Sequence, residues 1–328
     1  MRRIRQWRVI CKVMSSSVTL TDAGLSTQLS IYTSKKIDGH PLWASRFLLT
    51  DKDICISVHR DFVRAGSKII RTNTYQASVP GFMKHMNVSQ QDAIKVIKES
   101  VSLAKQAIAE EEDICGKKLN VQVAGSVGPY GAYLHNGSEY TGSYCKEVTK
   151  EELIEWHRPR ITALVDGGVD LLAVETIPCS IEALAVIQLL TKEFPNVKAW
   201  ISFSIKNESQ ISNGEEFAEV ANTIWEVGSK QLIAVGANCV NPIYVTPLFT
   251  ALIKKNATIP FIAYPNSGEI YDGVEKKWIE KDNTRKMTDF VEEWLNLGIS
   301  YIGGCCRTTS NDLQEIAKKI KNWENKIV

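Results

Sequence analysis

Eight times between residues 18 and 323 a short apolar run is followed by a polar turn and then a stretch of helical periodicity. The apolar runs cover residues 18–22, 68–73, 121–127, 169–175, 199–205, 232–239, 260–264 and 301–305. The helical stretches cover 51–65, 89–111, 149–166, 180–193, 214–227, 242–255, 285–297 and 311–323. Ser89 is placed to cap the second stretch; Thr149 and Glu152 form a capping-box pair for the third, which Gly167–Gly168 stops. Strands joined through helices run parallel, and a parallel sheet needs helices on its outer face. Eight such units close a ring, so the pattern predicts a single (β/α)8 TIM barrel with its functional rim at the strand ends. An open, doubly wound α/β sheet fits less well, because no Gly-x-Gly-x-x-Gly turn follows an early run.

Charge and hydropathy narrow the partners. The 39 basic residues against 37 acidic ones leave a net charge of +2, which gives no field for nucleic acid or an anionic membrane. No apolar run approaches the roughly 18 residues of a membrane span, and no export signal is visible. Small-molecule substrates and a cytoplasmic location are the expectations; the oligomeric state stays open, a monomer being one reading. Residues 1–17 stand apart, with Arg2, Arg3, Arg5, Arg8 and Lys12 and no acidic residue. They read as a disordered basic extension, with mitochondrial targeting as the second reading; residues 18–328 read as one catalytic domain.

The eighth run leads into Gly303–Gly304–Cys305–Cys306–Arg307–Thr308–Thr309. Neighbouring side chains on a strand point to opposite faces, so adjacent thiols serve one centre only where the chain leaves strand geometry. Gly303 and Gly304 are expected to supply backbone angles closed to other residues. Cys239 ends the sixth run, and alternate strands of a barrel share a layer, which brings it towards Cys305 and Cys306. Three thiolates from two strand ends make an open zinc site whose fourth position can take and ionise a substrate thiol. A vicinal disulfide is the alternative for the adjacent pair. Cys11, Cys55, Cys115, Cys145 and Cys179 read as ordinary thiols of a reducing compartment.

The other run ends are polar: Asp22; Asn73, Thr74 and Tyr75; Ser126; Glu175 and Thr176; Asn238; and Asn266. Asp22 and Glu175 suit a cationic group such as an ammonium, or else are helix-start or solvated acids. Asn73 and Asn238 suit a carboxylate, or satisfy loop backbone. The five histidines, His40, His59, His85, His135 and His157, include no His-Glu-x-x-His pattern and read as surface or packing residues.

Taken with Gly236–Ala237–Asn238–Cys239, the cysteine motif resembles that of the homocysteine S-methyltransferase family. Further matches run in order along the chain from residue 18: Thr21 to Leu29, Arg71 to Ser78, Gly125 to Tyr133, Gly137 to Gly142, Glu175 to Pro178, and Tyr264 to Glu269. The resemblance implies one zinc ion per chain on Cys239, Cys305 and Cys306, with homocysteine as fourth ligand. It also implies that Asp22 and Glu175 hold the homocysteine ammonium, and backbone amides near Gly24 its carboxylate. Ala23 departs from the glycine usual in the family, and residues 1–17 lie outside the shared pattern.

For the methyl donor, the tyrosine-bearing loop after the third run is similar to that of stand-alone members using S-methylmethionine or S-adenosylmethionine. The chain shows no cobalamin or folate module, nor the C-terminal extension of the betaine enzymes. Tyr75, Tyr130 and Tyr133 are candidates for holding a sulfonium by cation–π contact, or are packing residues. A free alkyl thiol titrates near ~8.5, so the metal is expected to supply the nucleophilic thiolate, with no side chain acting as acid or base. The rival readings are a zinc-dependent hydrolase and a non-catalytic thiol- or zinc-binding protein. The reaction product discriminates among them.

Overall fold

The eight apolar runs become eight parallel strands of one sheet, in a computed structural model that describes residues 18–272, 277–279 and 285–327. In chain order they are Thr19–Leu20, Ile69–Arg71, Gln122–Val127, Leu171–Ile177, Ala199–Phe203, Leu232–Asn238, Phe261–Tyr264 and Ile299–Ile302. Their order across the sheet is 1-8-7-6-5-4-3-2. A parallel bridge from Thr21 to Ile69, with the Lys68 N–H donating to the Leu20 carbonyl at 2.8 Å, joins the first and second strands and completes the barrel. The proposed extension at residues 1–17, with Cys11, lies outside the described residues.

The crossing helices follow the expected stretches: Lys52–Arg64, Gln90–Cys115, Lys150–Asp166, Ser180–Glu193, Phe217–Gly228, Pro242–Lys255, Val291–Asn296 and Ser310–Ile327. The Thr149–Glu152 capping box is made in both directions, and Ser89 caps the second helix through the Asp92 N–H. No described helix is long and apolar enough to cross a membrane.

Alternation along the strands divides the core in two. One shell packs between sheet and helices and includes Val123, Leu172, Val174, Ile201 and Val235. The other fills the barrel axis: Ile69, Ala124, Leu171, Ala173, Trp200, Ala234, Ile262 and Tyr264. Two residues farther along a strand the side chain returns to the same face. Arg71, Ser126, Glu175, Ser202 and Asn238 therefore continue the axial set towards the carboxyl end. The apolar interior becomes polar at the rim, all five residues being buried.

The structure also holds short pieces the periodicity does not predict. Leu25–Leu29, Phe47–Thr50 and Val79–Met86 are helical, and Ile270–Asp272 pairs with Lys277–Ile279 as an antiparallel hairpin. Within the loop after the third strand, Tyr130–Leu134 is helical. Cys145 and Cys179, read from sequence as ordinary thiols, are joined by a disulfide that pins this loop to the segment after the fourth strand. Their separation of 34 residues fits no small-domain spacing, so only the fold brings them together.

Candidate metal centre and substrate pocket

Strand seven lies between the strands that carry the cysteines. Its end accepts from both loops: the Cys239 N–H donates to the Tyr264 carbonyl at 3.1 Å and the Cys305 N–H to the Pro265 carbonyl at 2.8 Å. The sulfurs of Cys239, Cys305 and Cys306 all lie within 4.8 Å of one another, and Cys239 and Cys306 are 3.4 Å apart. Thiolates around a tetrahedral zinc stand about 3.8 Å apart, so sulfurs gathered this closely fit such an ion. The thiols share protons. Contact with Cys305 and then Cys306 holds Cys239 well below the ordinary thiol range, while contact with Cys239 pushes Cys305 up to about 12.

The geometry that aims the cysteines differs from the sequence expectation. Neither Gly303 nor Gly304 has a positive φ; the left-handed residues are Cys239 itself, at 49°, and Arg307, at 63°. The glycines are needed for space. A Cβ on Gly303 would stand 2.0 Å from Thr21 Oγ1, and one on Gly304 would stand 2.2 Å from Thr308 Oγ1. Thr308 Oγ1 also donates to the Cys305 carbonyl at 2.6 Å, which folds the adjacent thiols out of the strand.

Beside the sulfurs, Asp22 and Glu175 come together, and Arg71 stands between them. Its Nε donates to Asp22 Oδ1 at 2.5 Å and its Nη1 to Glu175 Oε2 at 2.8 Å; Nη2 reaches the carbonyls of Ala23 and Gly304, both at 3.0 Å. Its guanidinium also lies 4.5 Å from the centre of the Tyr264 ring. Burial alone would lower the Arg71 pKa, but the charges of Asp22 and Glu175 hold it well above its ordinary value. Burial raises the Asp22 carboxyl to about 6 in spite of Arg71. Two carboxylates and one guanidinium leave a single net negative charge. Sequence reasoning did not single out Arg71, although it follows Ile69 by two and therefore faces the axis.

Other expected residues are placed as follows. The Gly24 N–H donates to Thr308 Oγ1 at 3.2 Å, and a Cβ there would stand 2.2 Å from the Cys305 carbonyl oxygen. Asn238 is buried; its Oδ1 accepts from Thr176 N at 2.7 Å and Ser202 Oγ at 2.8 Å, and its Nδ2 donates to Thr176 Oγ1 at 2.7 Å. Asn73 Nδ2 turns to the Ala44 carbonyl at 2.9 Å. Tyr130 and Tyr133 pack on each other and on Trp156, with ring centres 5.3 to 6.0 Å apart. His157 is buried and paired to Glu182 Oε1 at 2.8 Å.

The third loop sends a different tyrosine to the sulfurs. Tyr140, which sequence reasoning did not select, puts its hydroxyl 3.3 Å from Cys239 Sγ, although its residue is 44% exposed. Its neighbour Glu139 is fixed from the backbone side, where Ser204 Oγ donates to its carbonyl at 2.7 Å. Arg160 Nη1 donates to the Tyr75 carbonyl at 3.1 Å and its Nη2 to the Gly128 carbonyl, holding the second and third loops together.

The chain is similar to known proteins over most of its length. A family model described as homocysteine S-methyltransferase matches residues 19–320. A betaine-homocysteine S-methyltransferase of Drosophila melanogaster is 43% identical over 307 residues, covering 90% of this chain and 92% of its own. The homocysteine S-methyltransferase YbgG of Bacillus subtilis (strain 168) is 41% identical over 279 residues, 84% and 86% of the two chains. Among solved structures, the metallated form of the homocysteine methyltransferase MmuM from Escherichia coli superimposes with a TM-score of 0.80 at 32% identity, covering 92% of this chain and 96% of that one.

Proposed function

The chain belongs to the homocysteine S-methyltransferase family, and on that premise we propose that it transfers a methyl group from a sulfonium donor to the sulfur of L-homocysteine, giving methionine. The observation that carries the proposal is the convergence of three sulfurs within 4.8 Å beside a buried carboxylate pair. Cys239, Cys305 and Cys306 would hold one zinc ion. Bound there, zinc would supply a Lewis acid that lowers the pKa of the incoming thiol, so that its proton is lost to solvent and its sulfur stays electron-rich.

The chain's own residues then act by placement. Asp22 and Glu175, with one guanidinium between them, present the single negative charge that one ammonium requires. Gly24 brings the first loop against Cys305, and Asn73 and Asn238 brace the surrounding loops. Tyr75, Tyr130 and Tyr133 are assigned to the donor side, Tyr75 by its hydroxyl and the other two through the aromatic packing of the third loop. The methyl carbon leaves the donor sulfur with the bonding pair staying on that sulfur, and bonds to the homocysteine sulfur. The departing thioether is neutral and needs no acid. Alignment therefore supplies most of the protein's own contribution.

A second donor class has a specific observation behind it. The Drosophila relative named for betaine is matched over 92% of its own length, which keeps a quaternary ammonium donor in play. Methionine formation by zinc-loaded protein with S-methylmethionine, S-adenosylmethionine or glycine betaine tests the proposal. Turnover with a sulfonium and loss of turnover on metal removal are expected. Methionine from betaine alone replaces the donor class, and hydrolysis of an ester or no turnover with any donor overturns the proposal.

A further inference from the structure

Resting on the methyl-transfer reading, we infer that Glu139 is the counter-charge for the cationic group of the methyl donor, and that Tyr75 closes the same seat with its hydroxyl. The reaction brings two substrates into one barrel mouth, and each of the proposed donors carries a positive centre. The negative charge at Asp22, Glu175 and Arg71 is sufficient for one ammonium. A second cation entering beside it needs a second anion, and the third loop provides one.

Glu139 Oε2 is buried and has no hydrogen-bond partner among the described residues, and the same holds for the Tyr75 hydroxyl. A carboxylate oxygen without a partner is costly away from water, and buried polar groups are almost always satisfied. Both belong to loops at the carboxyl end of the barrel, and Arg160 ties these loops together through the Tyr75 and Gly128 carbonyls. Burial, followed by the negative charges of Glu139, Cys239 and Glu175, holds the Tyr75 phenol well above its ordinary value. After burial, Glu139 is thus the strongest influence on the Tyr75 phenol. Thr176 lies near Tyr75 and lowers its pKa, but makes no hydrogen bond of ordinary geometry to the phenol; its own hydroxyl accepts from Asn238 Nδ2 at 2.7 Å.

The backbone shows that the position is built. Gly131 packs so closely that a Cβ there would stand 2.6 Å from the Glu139 N–H nitrogen, and Ser204 Oγ holds the Glu139 carbonyl at 2.7 Å. The next residue puts its hydroxyl 3.3 Å from Cys239 Sγ. The seat thereby belongs to the loop that reaches the metal-binding sulfurs through Tyr140, the side from which a methyl has to approach. Burial alone pushes the Glu139 carboxyl up to about 7; a cation beside it restores the ionised form. No metal ligand is involved in the seat, and neither orphan atom is used by the contacts around Arg71.

The test is Glu139→Gln, which keeps shape and hydrogen-bonding capacity but removes the charge. In the zinc-loaded protein the KM of the productive donor is expected to rise about tenfold or more, with the homocysteine KM and the zinc content unchanged. Calorimetric titration of the donor alone should show the same loss of affinity, independently of turnover. Failure of the wild-type protein to form methionine while still binding the donor through Glu139 would count against the methyl-transfer reading and not against the seat. A sulfonium carrying a carboxylate but no ammonium distinguishes the two cations: a persisting penalty assigns the contact to the sulfonium, a vanishing one to the ammonium, and either supports the seat. A donor KM within twofold of wild type overturns it, as does a rise in the homocysteine KM in its place. If the glutamine variant does not fold, Tyr75→Phe decides alone by the same split, and a donor KM within twofold of wild type overturns the seat.

Discussion

The Tyr140 hydroxyl stands 3.3 Å from the Cys239 sulfur, although the two residues lie 99 positions apart in the chain. A phenol donating to a thiolate stabilises the charged sulfur that a metal needs. Removing such an outer partner commonly costs 10- to 100-fold in metal affinity, so Tyr140→Phe is expected to weaken zinc retention by about tenfold or more. Competition against a chromophoric chelator measures this directly. Unchanged retention would show that the hydroxyl plays no part in holding the ion.

Cys306→Ala removes one of the three sulfurs and leaves Cys239 without its neighbour at 3.4 Å. Bound zinc and methionine formation are expected to disappear together. Elemental analysis beside a product assay gives the result, and full turnover in protein proven metal-free would falsify the metal reading.

How much of this was legible in the sequence depended on periodicity. The strands could be read because runs such as residues 171–174 are continuously apolar, as a sheet buried on both faces requires. Short pieces such as Leu25–Leu29 have too few turns to show a period. Cys305 and Cys306 were visible because packing has no use for adjacent thiols. Arg71 was missed because a lone arginine in a strand reads as solvent-facing, yet its phase with Ile69, Ala124 and Ser126 carried the signal. Glu139 and Tyr140 sit on a loop with no phase at all. Only the folded chain shows that Gly131, Ser204 and Cys239 surround them.

Replacing Arg71 by methionine leaves the Asp22 and Glu175 carboxylates buried and facing each other. Breaking a buried pair in this way costs about 3–5 kcal/mol at neutral pH. The Asp22 pKa is raised in the fold, from 3.8 to about 6, so its ionisation costs stability that is intact below 3.8 and lost as pH rises through 6. Arg71→Met removes the group that limits this loss. Its stability deficit, read from urea midpoints, should therefore be large at about pH 8 and smaller at about pH 5. An equal deficit at both would show that the carboxylate charges are not its origin.

The same titration governs the ammonium seat. With Asp22 protonated, Glu175 and Arg71 cancel; with Asp22 ionised, one negative charge is left over. Binding of an ammonium should tighten as pH rises through about 6 and then level off. 2-Aminobutyrate, which has the ammonium and carboxylate of homocysteine but no thiol, isolates this effect as an inhibition constant measured across pH. Asp22→Asn should weaken binding and remove the step. A step of unchanged size in that variant assigns the titration to another group.

Gly24→Ala alters no sulfur and no charge, yet it should release the metal. Its added carbon would stand 2.2 Å from the Cys305 carbonyl oxygen, far inside contact distance, and 3.1 Å from Thr27 Oγ1. The obstructing atom is backbone, so no side-chain rotation relieves the clash; one of the two loops has to move. The Cys305 loop is tied on its other side to the Pro265 carbonyl at 2.8 Å and to Thr308 Oγ1 at 2.6 Å, and the Gly24 N–H is itself held by Thr308 Oγ1. Displacement on either side shifts Cys305 relative to Cys239, which belongs to a separate strand. A tetrahedral site tolerates ligand distances only within about 0.2 Å, so the variant should lose zinc while unfolding as a single cooperative transition. Zinc content by elemental analysis, paired with thermal unfolding, separates this from general misfolding. A folded Gly24→Ala protein with a full complement of zinc would mean that the first loop does not set the position of Cys305.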